Sequence, residues 1–391
     1  IDSIKACLSY KGLKISDVTD IAINTNPFSN IKQKASYFLK NYIRGKKKIE
    51  ILKRTKNKFN ILNEINKHFK KDKLKKNIKL HFVDHHESHI ASAFYPSKFN
   101  KAIGLSIDGF GDFSSLAVAI CENSKIKIIE RVYFPHSLGV FYEAFTQLLG
   151  FKSYGDEYKV MGLSSYGLPI YFNDILSDFF KNNESIDLNL KYFQHIGKNF
   201  SYKFTGSPNQ SILFNRKAFA KFPISKNKKV TMEHKNIAAS AQKVFEYKIL
   251  NIIQKINKLK FFENLIYAGG CALNSLANKK IIDSKIFKKI FIPYAPGDGG
   301  GSIGSALVVA NKKYNFKKFK NLSSPYIGPS YSIEEINNFI MKNKILKKFK
   351  IKKYDKIDNL TDDVAKYVYQ NKIIGYFNDR MEFGARALGN R

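Results

Sequence analysis

The chain has 391 residues, with 67 Lys and Arg against 32 Asp and Glu, for a formal charge of +35. That length accommodates two or three domains with large cores, and no apolar run reaches the roughly 20 residues that a membrane-spanning helix needs. Three widely spaced cysteines, Cys7, Cys121 and Cys271, exclude a disulfide framework and point to a reducing compartment, with the cytoplasm the expected location.

Residues 1–26 read as a helix, a turn at Gly12 and a strand over 20–24. A basic, helical region follows to about 79, including Arg44-Gly-Lys-Lys-Lys48 and Lys70-Lys-Asp-Lys-Leu-Lys-Lys76. Its charge is lysine far more than arginine, beside many Ile and Asn, as A/T-rich codons produce. It lacks the aromatic interleaving of a nucleic-acid groove, so a solvated surface is expected there rather than a nucleic-acid partner. After a strand over 79–83, the helix to residue 94 carries His85 and His89. Four residues apart, both imidazoles project from one face, one turn from each other.

Apolar runs over 102–108, 114–121 and 126–134 read as a β-meander with its first turn at 109–112,. Asp108 ends the first of these strands. An amphipathic helix over 140–149 follows Gly139, and the stretch 155–167 is punctuated by glycine and charge around Lys159, as a ligand-gripping segment would be. Residues 168–235 read as mixed helix and loop, and a long helix covers 236–259. A strand over 264–268 then enters Gly269-Gly-Cys-Ala-Leu-Asn274 and a helix. Strand, glycine pair and helix N-terminus form a turn suited to an anion or nucleotide. The pattern repeats at 290–301, where Asp298 precedes three glycines.

A new unit begins near Tyr326, with a helix capped by Ser332, a second helix over 362–370 and a strand over 373–377,. The closing segment sets Arg380, Arg386 and Arg391 among glycines, the composition of a phosphate clamp. The first residue lies inside a predicted helix and the last inside a motif, so an internal stretch of a longer protein is expected.

His85, His89 and Asp108 together offer two imidazoles and a carboxylate with open positions. That set suits a catalytic Fe(II), Zn or Mn ion rather than a structural one, and Asp298 completes it. Histidines four apart also arise by chance, so the reading requires the carboxylates to converge on them. The metalloprotease motif is excluded, because His86-Glu87 would need a histidine at position 90, which is Ile,.

Four motifs occur in order: His85-His-Glu-Ser-His89-x-x-Ser-Ala-Phe, Gly155-Asp-Glu-x-Lys159-Val-Met-Gly-Leu, Gly269-Gly-Cys-Ala-Leu-Asn274, and Met381-Glu-Phe-Gly-x-Arg386-Ala-Leu-Gly-Asn-Arg391. Together they resemble the O-carbamoyltransferases of the nodulation-factor and antibiotic-tailoring type. The likeness covers the chain apart from 30–80 and parts of 168–235. It implies an α/β fold with an actin/Hsp70/sugar-kinase-like two-lobed domain, similar to the threonylcarbamoyl-transferase core. The remainder of the first lobe would be 1–100, and the second lobe with its return segment 101–320. Residues 321–391 would begin a domain like threonylcarbamoyl-adenylate synthase.

The resemblance further implies two steps. Carbamoyl phosphate and ATP, as co-substrate, give carbamoyl-adenylate, and the carbamoyl group then passes to a hydroxyl of a sugar- or antibiotic-like acceptor. A divalent metal, Fe(II) first and Mn, Zn or Mg otherwise, would be held by His85, His89, Asp108 and Asp298. Gly139, Lys159, Gly269, Gly270 and Asn274 would line the adenylate pocket, and Arg386 and Arg391 a nucleotide site in the second domain. Ala385 stands where the family has Pro. The family's N-terminal His-Asp pair, taken to supply the base, has no counterpart here. The catalytic base is therefore unassigned, and the chain is expected to hold a metal without completing either step. Two alternatives compete: a tRNA-modifying threonylcarbamoyl transferase, which the charge favours and the unit beginning near Tyr326 opposes, and a non-catalytic nucleotide-binding relative, which the intact ligand set opposes.

Overall fold

A computed structural model of the chain describes residues 1–41, 60–69, 72–151, 153, 155–196, 212–215, 222, 229–259, 261–316, 324–343 and 345–390. The basic cluster at 44–48, part of that at 70–76, and Arg391 lie outside them. The chain forms two compact units, Ile15–Ser323 and Ile1–Lys14 together with Ser324–Arg391.

The larger unit is mixed α/β. In chain order it holds β1 (Asp20–Ile23) and β2 (Lys79–Phe82), which pair in parallel, with helices Ile31–Asn41 and Ile61–His68 among the described residues between them. Next come the histidine helix (His85–Phe94) and the predicted meander of β3 (Lys101–Gly111), β4 (Ser114–Glu122) and β5 (Lys125–Tyr133). Helices Leu138–Leu148, Glu157–Ser164, Phe172–Phe179 and Met232–Asn257 precede β6 (Asn264–Ala268). Helix Ser275–Asp283, β7 (Lys289–Phe291) and helix Asp298–Tyr314 close the unit. The main sheet has the order β5-β4-β3-β6-β7, with β6 parallel to both β3 and β7.

Burial on both faces explains the unbroken apolar run of the central strand β3. Ile103, Leu105 and Ile107 enter one core with Phe141, Phe145, Val244, Phe245 and Tyr267. On the opposite face Ala102 joins Ile90, Phe94, Ile266, Ala268, Leu307 and Val308 in a second core. The strand runs past Asp108, where the sequence places its end, to Gly111 with a register shift after Ile107. The turn to β4 is therefore Asp112-Phe113, both at positive φ, as a two-residue hairpin turn requires,.

The segment predicted to grip a ligand at 155–167 is largely the helix Glu157–Ser164. In the smaller unit, Ser332 caps helix Ile333–Lys342 as expected, its hydroxyl accepting from Glu335 N at 3.1 Å and the Glu335 carboxylate accepting from Ser332 N at 2.7 Å. Helix Asp2–Tyr10 belongs to this unit. Helix Ile357–Tyr369 follows, but the strand predicted over 373–377 does not form. A strand needs a ladder partner, and this unit has none among its described residues; Ile373 is fully exposed. Among the described residues no helix is long and apolar enough to cross a membrane.

Candidate metal centre

The histidine helix is started by Asp84, whose carboxylate accepts from His86 N and Glu87 N, both at 3.1 Å. Arg131, reaching over from β5, pairs with that carboxylate at 3.0 Å and anchors the cap to the sheet. A second acid fixes the same turn. Asp112 Oδ2 accepts from His85 N at 2.9 Å and Asn26 N at 2.7 Å, while Oδ1 accepts from the Thr25 hydroxyl at 2.7 Å. Asp112 is not among the residues that the sequence marks for the site. Its only signal was an acid just past a strand end, and its partner, the helix start, cannot be read from that.

Held this way, the two imidazoles meet the end of β3. His89 Nε2 lies 2.8 Å from Asp108 Oδ2 and 3.0 Å from His85 Nε2, which is itself 3.3 Å from Asp108 Oδ2. Asp298, opening its helix, brings Oδ1 to 3.5 Å from His89 Nε2 and 3.7 Å from His85 Nε2. One ligand atom from each of the four residues lies within 4.8 Å of the others. The four residues predicted from sequence therefore converge.

Their chemistry fits a cation. With bonds of about 2.1 Å, adjacent ligands of one ion stand roughly 3.0 to 3.4 Å apart, close to the spacings here. His85 Nδ1 faces the Asn24 carbonyl at 3.3 Å. A donor bond there leaves Nε2 with its lone pair toward the cluster, as a ligating histidine requires. Two ring nitrogens facing each other at 3.0 Å need a positive centre between them, a proton or a metal. In the bare chain a proton serves. Burial alone would depress His89, but the Asp108 and Asp298 carboxylates outweigh it and raise its pKa to about 9. Burial likewise opposes ionisation of Asp108, and the His85 and His89 rings facing its carboxylate reverse this, holding its pKa well below the usual carboxylate range. Neighbouring His86 turns away, with Nδ1 2.8 Å from Ser106 Oγ, and burial lowers it to about 3.

Three of the predicted adenylate residues pack against Ile107 or Asp108 of β3. A methyl on Gly139 would sit 2.8 Å from the Asp108 carbonyl oxygen, and one on Gly270 would sit 2.8 Å from Asp108 Oδ1. Gly269, at φ 92°, backs onto Ile107 and donates its N–H to Pro296 O at 2.8 Å. The other two are engaged elsewhere. Asn274 Oδ1 caps its helix through Ala277 N at 3.0 Å, and its amide exchanges hydrogen bonds with Gln242 at 2.9 and 3.0 Å. Lys159 pairs with Asp156 at 2.7 Å, which raises its pKa. In the smaller unit Arg386 is half-buried and engaged, while Arg380 donates to the Gly328 and Ile327 carbonyls at 2.9 and 2.8 Å. Arg380 thus organises the closing loop instead of offering a free phosphate clamp.

The chain is similar in sequence to several known proteins. A Synechocystis protein of unassigned function, sll1178, is 35% identical over 79% of this chain and 49% of its own length. The nodulation proteins NolNO of Sinorhizobium fredii and NolO of Bradyrhizobium diazoefficiens are 28% and 30% identical, over 100% and 79% of this chain and 52% of each relative. The chain thus spans about half the length of these relatives. Among solved structures, HypF of T. kodakarensis overlaps 63% of this chain and 39% of its own at 17% identity with a TM-score of 0.33, too loose to carry a fold assignment. Residues 1–307 match the family described as carbamoyltransferase N-terminus, and the chain belongs to that enzyme family.

Proposed function

We propose that this chain carries the metal- and adenylate-binding part of an enzyme that moves a carbamoyl group from carbamoyl phosphate, through an ATP-derived carbamoyl-adenylate, to a hydroxyl of a small-molecule acceptor. The observation that carries this reading is the cluster His85, His89, Asp108 and Asp298 in a carbamoyltransferase-family chain, with Gly139 and Gly270 against Asp108. On the same reading the larger unit corresponds to the two-lobed transferase core and the smaller unit to the start of an adenylate-forming domain.

His85, His89, Asp108 and Asp298 would hold a divalent ion, Fe(II) being the reading favoured by the two-histidine, carboxylate set,. When bound, it supplies Lewis acidity toward a phosphate or carbonyl oxygen. The chain's own residues prepare the place. Asp112 and Asp84 set the histidine helix, the Asn24 carbonyl orients His85, and the missing side chains at Gly139, Gly269 and Gly270 let the turns around Asp108 close up. The backbone can then approach an anionic ligand closely.

The test is metal analysis of the anaerobically loaded chain, coupled to calorimetric titration with AMP as the adenylate probe. One equivalent of Fe(II) or Mn(II) is expected, with AMP affinity that depends on it, and with both lost in His89→Ala. Absence of a stoichiometric metal, or unchanged occupancy in His89→Ala, overturns the proposal.

A further inference from the structure

We infer that Gly111 is a positioning residue for the candidate metal centre: its missing side chain is the space in which the His85 imidazole sits. The inference rests on the metal reading above. Gly111 ends β3 and is the first paired residue after the register shift that follows Ile107, directly before the turn that carries Asp112. A methyl built on it would approach Cδ2, Cγ and Nε2 of His85 closer than the 3.0 Å that Cβ atoms in folded proteins essentially never cross. The atoms it would strike belong to the ligating ring, Nε2 included.

The ring has little room to retreat. Its backbone N–H is held by Asp112 at 2.9 Å, its Nδ1 faces the Asn24 carbonyl at 3.3 Å, and its edge packs against His89 with centroids 4.5 Å apart. A side chain at 111 therefore moves Nε2 out of the cluster instead of nudging it. The backbone at 111 is not among those at positive φ. Alanine is thus admissible conformationally, and the ring is what it meets. This is a different use of glycine from that at Gly269, where φ is 92°. Gly104 on the same strand gives the contrast: a methyl there would meet Ile90 Cγ2 at 2.7 Å and no ligand atom.

The experiment is a double-substitution cycle on metal affinity. Gly111→Ala, His85→Ala and the pair are titrated with Mn(II) and Zn(II) beside the unsubstituted chain and Gly104→Ala, with the metal-free fold followed by circular dichroism. Gly111→Ala is expected to weaken metal binding about 10- to 100-fold, the range for residues that orient a ligand from behind it. In the His85→Ala background, where no ring remains to be displaced, it is expected to add no further loss. Gly104→Ala keeps the affinity of the unsubstituted chain at whatever stability it retains. The inference is overturned if Gly111→Ala binds metal normally, or if its loss persists in full without the His85 ring. If the unsubstituted chain binds neither metal, the metal reading falls and this inference with it. Should Gly111→Ala fail to fold, recovery of its fold in the His85→Ala background is the expected result, and failure there too overturns the inference.

Discussion

Removing the Asp112 carboxylate tests how the histidine helix is held. In Asp112→Ala the amides of His85 and Asn26, at 2.9 and 2.7 Å, and the Thr25 hydroxyl, at 2.7 Å, all lose their acceptor. A hydrogen bond to a charged group contributes about 1.5 to 3 kcal/mol, and a buried donor left alone costs about as much. Because solvent reaches this partly buried site, the low end applies, and the two orphaned amides, at about 1.5 kcal/mol each, come to roughly 3 kcal/mol. Asp112→Asn keeps one carbonyl oxygen facing the two amides and turns its NH2 toward the Thr25 oxygen, so it loses mainly charge assistance, roughly 1 kcal/mol. Urea denaturation of the metal-free chain measures both. Alanine is expected to cost clearly more than asparagine, and Mn(II) affinity to fall in the same order because His85 is hung from that carboxylate. Equal costs, or an alanine variant within about 0.5 kcal/mol of the unsubstituted chain, the scale of an ordinary surface change, would refute the clamp.

Two further substitutions probe the surroundings. Burial, with the charge of Glu157 adding to it, raises Glu143 from 4.5 to about 8. Between those values the folded chain binds a proton that the unfolded chain lacks, so stability falls as pH rises through that window. Glu143→Gln should remove this slope and gain on the unsubstituted chain from pH 5 to pH 8; urea midpoints that keep a constant difference across that range would contradict it. Gly304 lets helix Asp298–Tyr314 lie on the histidine helix, since a methyl there would overlap the Ser88 carbonyl. Gly304→Ala is expected to cost about 1–3 kcal/mol by overpacking and to weaken metal binding, because Asp298 and the two histidines ride on the separated helices; calorimetry showing full affinity would count against that coupling.

Several parts of this molecule were legible in the order of its residues. The four-residue spacing of His85 and His89, the run of apolar residues ending near Asp108, and the Ser332 cap are set by contacts between neighbours in the chain. Local geometry repeats every 3.6 or 2 residues, so such patterns survive any tertiary arrangement. Asp298 was nominated for its turn, but only the packing of its helix on the histidine helix carries it to His89. The roles of Gly111 and Gly304 were invisible for the same reason: each glycine matters for what it leaves room for, and that neighbour lies far away in sequence. The stretch 373–377 marks the opposite error. Local pattern nominated a strand, but no partner strand among the described residues completed the ladder. Short-range preferences are worth a few tenths of a kcal/mol per residue, whereas one satisfied amide or one excluded methyl is worth several times that; where the two disagree, the fold decides.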